Sequence, residues 1–222
     1  TRRIMAEVLL GNNVCIYAGD VEARFQYLAI KLIRPKNLIL FDDGIKSWYI
    51  NNIKLTNDLY FSHRFYGEVY SEYPLSEISG FKTVRKSIFR QLNPIIIPKT
   101  IWIIGQPLIE DNRLTQNEYF QLLTSIECPP EWEIKYIKHP REELNKKLPS
   151  YFKITVLNTS VEDWVIENNY APELCIGFYS SVLYWMLNYV SDVKVRAKKA
   201  PYIDERVEFI YCKYEKCGIR LS

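Results

Sequence analysis

With 222 residues the chain holds one large or two small domains and ample material for a packed core. Hydrophobic residues at 48% and charged residues at 25% fit a soluble globular protein. Net charge is +3, from 29 basic and 26 acidic residues without a basic stripe, which excludes a nucleic-acid footprint. No apolar run approaches the ~18 residues of a membrane-spanning helix, and no signal peptide is read. The first residue is Thr1 rather than Met, as in a trimmed or partial chain. Five cysteines form no CxxC pair, which fits a reducing compartment with ordinary thiols. Seventeen Tyr, ten Phe and five Trp suit buried surfaces and sugar-stacking clefts equally, so they do not choose between them.

In chain order, Ile4–Leu10 is apolar and helix-like, and Gly11-Asn12-Asn13 breaks it. Val14–Ala18 is a short apolar run of the buried-strand type, closed by Gly19-Asp20. Val21–Ile33 places Phe25, Leu28, Ala29 and Leu32 on one helical face, and Pro35 ends it. Asn37–Phe41 is a second buried strand, followed by Asp42-Asp43-Gly44. This β-α-β order implies a parallel sheet with helices packed on it. Ile45–Leu55 reads as loop and short helix, and Asp58–Tyr73 as aromatic and irregular. Ile88–Ile97 can be read as a strand interrupted by Pro94, and Leu92–Lys99, bounded by two prolines, reads as a linker between domains at 1–92 and 93–222.

The second half alternates more clearly. Thr100–Ile104 is a strand ending at Gly105-Gln106-Pro107. Thr115 caps an amphipathic helix through Ser125. The strand of Ile134–Lys138 runs into His139-Pro140, and Glu142–Lys147 is expected to be helical. Ile154–Leu157 is a strand, Ser160 caps a helix through Ile166, and Glu173–Phe178 is a strand. Ser180-Ser181 open a helix over Val182–Val190, Val193–Val195 is an edge strand, and Arg206–Tyr214 is strand or helix. The basic cluster Lys194–Lys199 suits a solvated edge, the other reading being an anionic membrane face or acceptor. The fold class is therefore α/β with doubly wound parallel sheets.

Four strand ends carry candidate chemistry. Pro140 holds His139 out of the α region, so its imidazole sits at a defined bend where open α/β sheets bind ligands. It can exchange a proton near neutral pH, and the same residues also suit a plain strand-to-helix turn. Asp42 and Asp43 repel each other on a tight turn, and desolvation of one would make it a base for a hydroxyl; an ordinary Asp-Gly turn is the other reading. Ser180 and Ser181 add hydroxyls to the free amides of a helix start, which suits phosphate, or simple capping. Glu162 can accept two ribose hydroxyls or complement a helix dipole. Gly105 lets backbone approach a base. His63 has no acidic or cysteine partner at zinc-ligand spacing, and GxSxG, P-loop and GxGxxG motifs do not occur.

Phe41-Asp42-Asp43-Gly44, Lys138-His139-Pro140, Glu162 and Tyr179-Ser180-Ser181, in that order, resemble the motifs of bacterial sialyltransferases, the lipooligosaccharide and capsule polysialyltransferases. The resemblance spans about Val14 to Tyr189. It implies a GT-B-like architecture of two Rossmann-like domains, the first on the acceptor side. It implies inverting transfer of sialic acid from CMP-sialic acid to a hydroxyl of a cell-surface glycan. Asp43, or else Asp42, would be the general base, and His139 would protonate or hydrogen-bond the departing phosphate. Ser180 and Ser181 would hold that phosphate and Glu162 the ribose, with Gly105, Lys138 and Pro140 lining the CMP pocket. No metal or other cofactor is expected, since imidazole, hydroxyls and a helix terminus can replace one. Partners would be the donor, a glycan acceptor and no nucleic acid. The expected location is cytoplasmic, with peripheral contact at the inner membrane and a homodimer left open. One departure is visible: barely two strands fit before Asp42, so the first domain is incomplete or compact. The alternatives are a GT-B transferase using another nucleotide sugar, or a non-catalytic nucleotide- or sugar-binding α/β module.

Overall fold

A computed structural model describes residues 15–18, 28, 37–41, 66–71, 81–85, 90–143, 147–201 and 204–222. The chain divides into two compact units, Thr1–Ile88 and Phe89–Ser222. The first contains β1 (Cys15–Ala18), β2 (Asn37–Phe41), β3 (Tyr66–Ser71) and β4 (Phe81–Arg85), all parallel in that order. β1 and β2 fall on the two apolar runs expected as strands. β3 lies inside the stretch read as irregular, because Gly67, Glu68 and Ser71 dilute the usual strand composition. The expected Asp42-Asp43 turn and His63 lie outside the described residues.

The second unit is α/β. Its strands are β5 (Ile95–Ile104), β6 (Glu133–Lys138), β7 (Lys153–Val156), β8 (Tyr170–Gly177), β9 (Lys194–Ala197) and β10 (Arg220–Leu221). Its helices are α1 (Gln116–Thr124), α2 (Val161–Asn168), α3 (Ser181–Tyr189) and α4 (Glu205–Cys217). The six strands form one parallel sheet in the order β10-β9-β8-β5-β6-β7. Caps mark the helix starts as expected: Thr115 and Glu118 form a reciprocal capping box on α1, and Ser160 and Ser180 cap α2 and α3. Arg206–Tyr214 is helical, within α4, which Asp204 caps and Gly218 closes at φ 93°.

Three expectations are corrected here. Leu92–Lys99 is no linker. Leu92 bridges to Val190, its N–H donating to the Tyr189 carbonyl at 2.7 Å, and β5 begins at Ile95. Pro98 is tolerated because the β5–β8 register shifts between Ile97 and Ile101, with Lys99 at φ 52°. The strand at Val193–Val195 is not an edge, since β10 pairs beyond it. The helix expected at Glu142–Lys147 is not formed at Glu142, Glu143 or Lys147, because Glu142 turns its side chain inward to accept the His139 N–H; residues 144–146 lie outside the described residues.

Both faces of the central strands are covered, which is why they read as near-continuous apolar runs. Ile101 and Ile103 of β5, Ile134 and Tyr136 of β6, and Leu174 and Ile176 of β8 pack with Tyr119, Leu122 and Leu123 of α1. On the opposite face Trp102 meets Trp164 of α2 edge-on at 5.2 Å, and Gly177 lets Leu183 of α3 close on Ile104. The chain builds β5, β6 and β7 to one side, then crosses back to place β8 on the other side of β5. The carboxyl ends of β5 and β8 therefore flank the topological switch point, where such sheets bind ligands. Among the described residues no helix is long and apolar enough to cross a membrane.

Candidate functional site

A cavity of about 260 Å³ opens at that edge. It gathers Gly105 after β5, Lys138, His139 and Pro140 after β6, Glu162 in the first turn of α2, and Ser180 and Ser181 at the start of α3. All seven candidate residues of the second unit thus share one cavity, although 76 positions separate the first from the last (181 − 105). Thr159 and Ser160 add hydroxyls to the wall, and Ile104, Ile137 and Leu157 supply apolar surface.

His139 does two jobs. Its Nδ1 accepts the Arg141 N–H at 3.1 Å, and the Glu142 N–H donates to its carbonyl at 3.0 Å. The His139–Glu142 backbone bond closes a tight turn, and the ring contact with Arg141 N–H lies inside it. Because Nδ1 is an acceptor, the neutral ring carries its proton on Nε2. Burial, and then the Arg141 charge, hold the imidazole below its ordinary pKa, against the opposing pull of Glu142. A neutral Nε2–H donor is what a phosphate oxygen needs first; the phosphate's own charge then favours protonation.

Ser180 is held from three sides. Tyr214 Oη donates to its carbonyl at 2.6 Å, and Leu183 N–H does so at 3.0 Å. The Gln106 side chain clamps the preceding residue, accepting from Tyr179 N–H at 3.0 Å and donating to Tyr179 O at 3.2 Å. Ser180 Oγ accepts from Val182 N–H at 3.3 Å, so its hydroxyl proton remains for a ligand. If the site holds the CMP phosphate that the motif resemblance implies, replacing Ser180 and Ser181 together by alanine should weaken CMP binding roughly 10–100-fold, the worth of one or two hydrogen bonds to a charged group. The cap itself costs about 1 kcal/mol of stability. Calorimetric titration alongside a denaturation curve checks both, and an unchanged CMP affinity removes the phosphate assignment.

Glu162 is partly buried, and burial raises its pKa above the ordinary glutamate value. A ligand diol accepted by the ionised carboxylate would therefore be released at a higher pH than at an ordinary glutamate. Gly105 donates its N–H to Ile137 O at 2.8 Å, so only its Cα and carbonyl are left for a ligand. Lys138 reaches back to the His139 carbonyl at 3.3 Å. Among the described residues no group of three His, Cys, Asp or Glu sits at metal-ligand spacing.

Sequence reasoning missed what lies beneath the histidine. Glu142 is 4% exposed. It accepts His139 N–H at 2.7 Å and Tyr136 Oη–H at 2.6 Å, and Tyr136 Oη lies 2.7 Å from Tyr119 Oη. Burial and the nearby carboxylate raise both phenols above their ordinary range, so both stay protonated as donors. In sequence Glu142 is one of several charges after the His139-Pro140 turn, and nothing in the local pattern marks it as buried.

No protein-family model matches the chain, and comparison with curated proteins finds no match.

Proposed function

We propose that this chain is an inverting glycosyltransferase that moves sialic acid from CMP-sialic acid to a hydroxyl of a cell-surface glycan. The observation that carries the reading is the convergence of Gly105, Lys138, His139, Pro140, Glu162, Ser180 and Ser181 on one cavity at the switch point. These are the residues that the motif resemblance assigns to the donor nucleotide.

In this reading the second unit is the CMP-binding half of a GT-B pair. Ser180, Ser181 and the N-terminus of α3 bind the phosphate, and Glu162 takes the ribose hydroxyls. His139 Nε2–H meets the phosphoryl oxygen that gains charge as the bond to the anomeric carbon breaks. The transition state is oxocarbenium-like, so charge neutralisation at the leaving group supplies most of the help. Asp43, with Asp42 beside it, takes the acceptor proton from the first unit. Donor hydroxyls, imidazole and helix amides do the work of a metal. The enzyme works in the cytoplasm, at the inner face of the membrane that carries its acceptor.

Thermal unfolding with CMP, UDP, GDP and CMP-sialic acid tests this directly. A ligand that binds only the folded state raises the melting temperature, by about 2.7 kcal/mol of stability at a hundredfold excess over Kd. CMP and CMP-sialic acid are expected to stabilise, and UDP and GDP not. Stabilisation by UDP or GDP with indifference to CMP turns the assignment to a different nucleotide sugar. Binding of CMP without transfer leaves a nucleotide-binding module.

A further inference from the structure

The cavity explains His139 as a ligand-facing group, but not why a carboxylate should be buried behind it. We propose that Glu142 is a positioning residue: from beneath the His139-Pro140 turn it anchors the His139 amide, so that Nδ1 stays opposite Arg141 N–H and Nε2–H is the atom presented to the cavity. The proposal rests on the function above only for its kinetic consequence.

The geometry is a closed loop of contacts. Glu142 Oε2 accepts the His139 N–H at 2.7 Å, while the Glu142 N–H returns to the His139 carbonyl at 3.0 Å. Oε1 is gripped by Tyr136 Oη–H at 2.6 Å, with Tyr119 behind it and the Gln106 N–H at 3.5 Å from Tyr119 Oη. Gly105 completes the seat, since any Cβ there would overlap the Glu142 carboxylate. The tautomer follows from this arrangement. A ring that loses its Nδ1 acceptor contact is free to rotate and to carry its proton on either nitrogen. The charged groups around the imidazole are Lys138 of β6, Arg141 and Glu142 of the turn, Asp111 of the loop before α1, and Glu162 across the cavity.

Long-range proton–nitrogen NMR of the full chain reads the tautomer directly, and His63 is the only other histidine to assign. In wild type the neutral His139 ring is expected with its proton on Nε2. Glu142→Leu keeps the bulk and removes the acceptor, so the two tautomers should mix. In transfer from CMP-sialic acid, kcat should then fall roughly 10²-fold, the effect of a misplaced reacting group. Glu142→Gln keeps an oxygen for the His139 amide and should restore the wild-type tautomer. Having lost its charge, E142Q should still show a lower His139 pKa than wild type. If E142L does not fold, Glu142→Asp, whose shorter carboxylate falls away from the amide, is read in its place. A wild-type ring with its proton on Nδ1 overturns the proposal, and so does a folded E142L with an unchanged tautomer. The spectra need no sugar donor, so they decide the positioning role even if sialyl transfer is never seen.

Discussion

Replacing His139 by alanine is expected to lower sialic acid transfer from CMP-sialic acid to lactose by roughly 10²–10⁴-fold, the usual worth of a positioned proton donor. The loss should fall on kcat, because in the proposed reaction the imidazole meets charge that grows as the phosphate departs. Stability should change much less. The ring's visible structural contact is the hydrogen bond from Arg141 N–H at 3.1 Å, and losing such a bond costs about 1 kcal/mol. The pH behaviour has a definite sign. Burial and Arg141 depress the free ring's pKa, so it is neutral in the empty site at neutral pH. A phosphate bound as proposed would add negative charge beside it and raise that pKa. A titration of the His139 ring should therefore shift upward when CMP is added. Asp43→Asn, assayed alongside, should be comparably damaging. Wild-type turnover in both variants would remove the catalytic assignment of this pair.

Among the three glycines of the second unit, Gly105 is the one where alanine should be most damaging. Its Cβ would overlap the Glu142 carboxylate and lie 2.7 Å from Tyr136 Oη and 2.9 Å from the Ile137 carbonyl. None of these neighbours is the loose end of a surface side chain. Tyr136 is fully buried, Glu142 is pinned between Tyr136 and the His139 amide, and Ile137 O belongs to the sheet. Overpacking of this kind costs about 1–3 kcal/mol, and here it also pushes on the turn that carries His139. A lowered denaturation midpoint together with weakened CMP binding is the expected result. A variant as stable as wild type would show that the seat is looser than these distances imply.

Much of the second unit could be read from local pattern. Thr115, Ser160 and Ser180 announce helices because their hydroxyls satisfy amides that no earlier turn can reach. The runs at Ile134–Lys138 and Glu173–Phe178 announce strands because a parallel sheet sandwiched between helices is apolar on both faces. Pattern failed where tertiary contacts overrode it. Pro94 and Pro98 look like linker punctuation, yet Pro98 sits in a bulge, and pairing with β8 carries the strand past it. Tyr66–Ser71 lacks a strand composition, and pairing on both sides makes it one.

What the sequence determined by itself was most of the succession of strands and helices in the second unit and which residue types stand at each strand end, because propensity, capping and proline sterics act over only a few residues. What the tertiary structure alone decided was which strand ends meet. Strand order is set by long-range pairing, and the crossover from β7 back to β8 is what brings Gly105 and Ser180 to either side of one switch point beside His139. It also decided the fate of Glu142. In the string Arg141-Glu142-Glu143 that residue looks like one more solvated charge. Only the packing of β6 against α1 supplies the two phenols that, with the His139 amide, make its burial affordable.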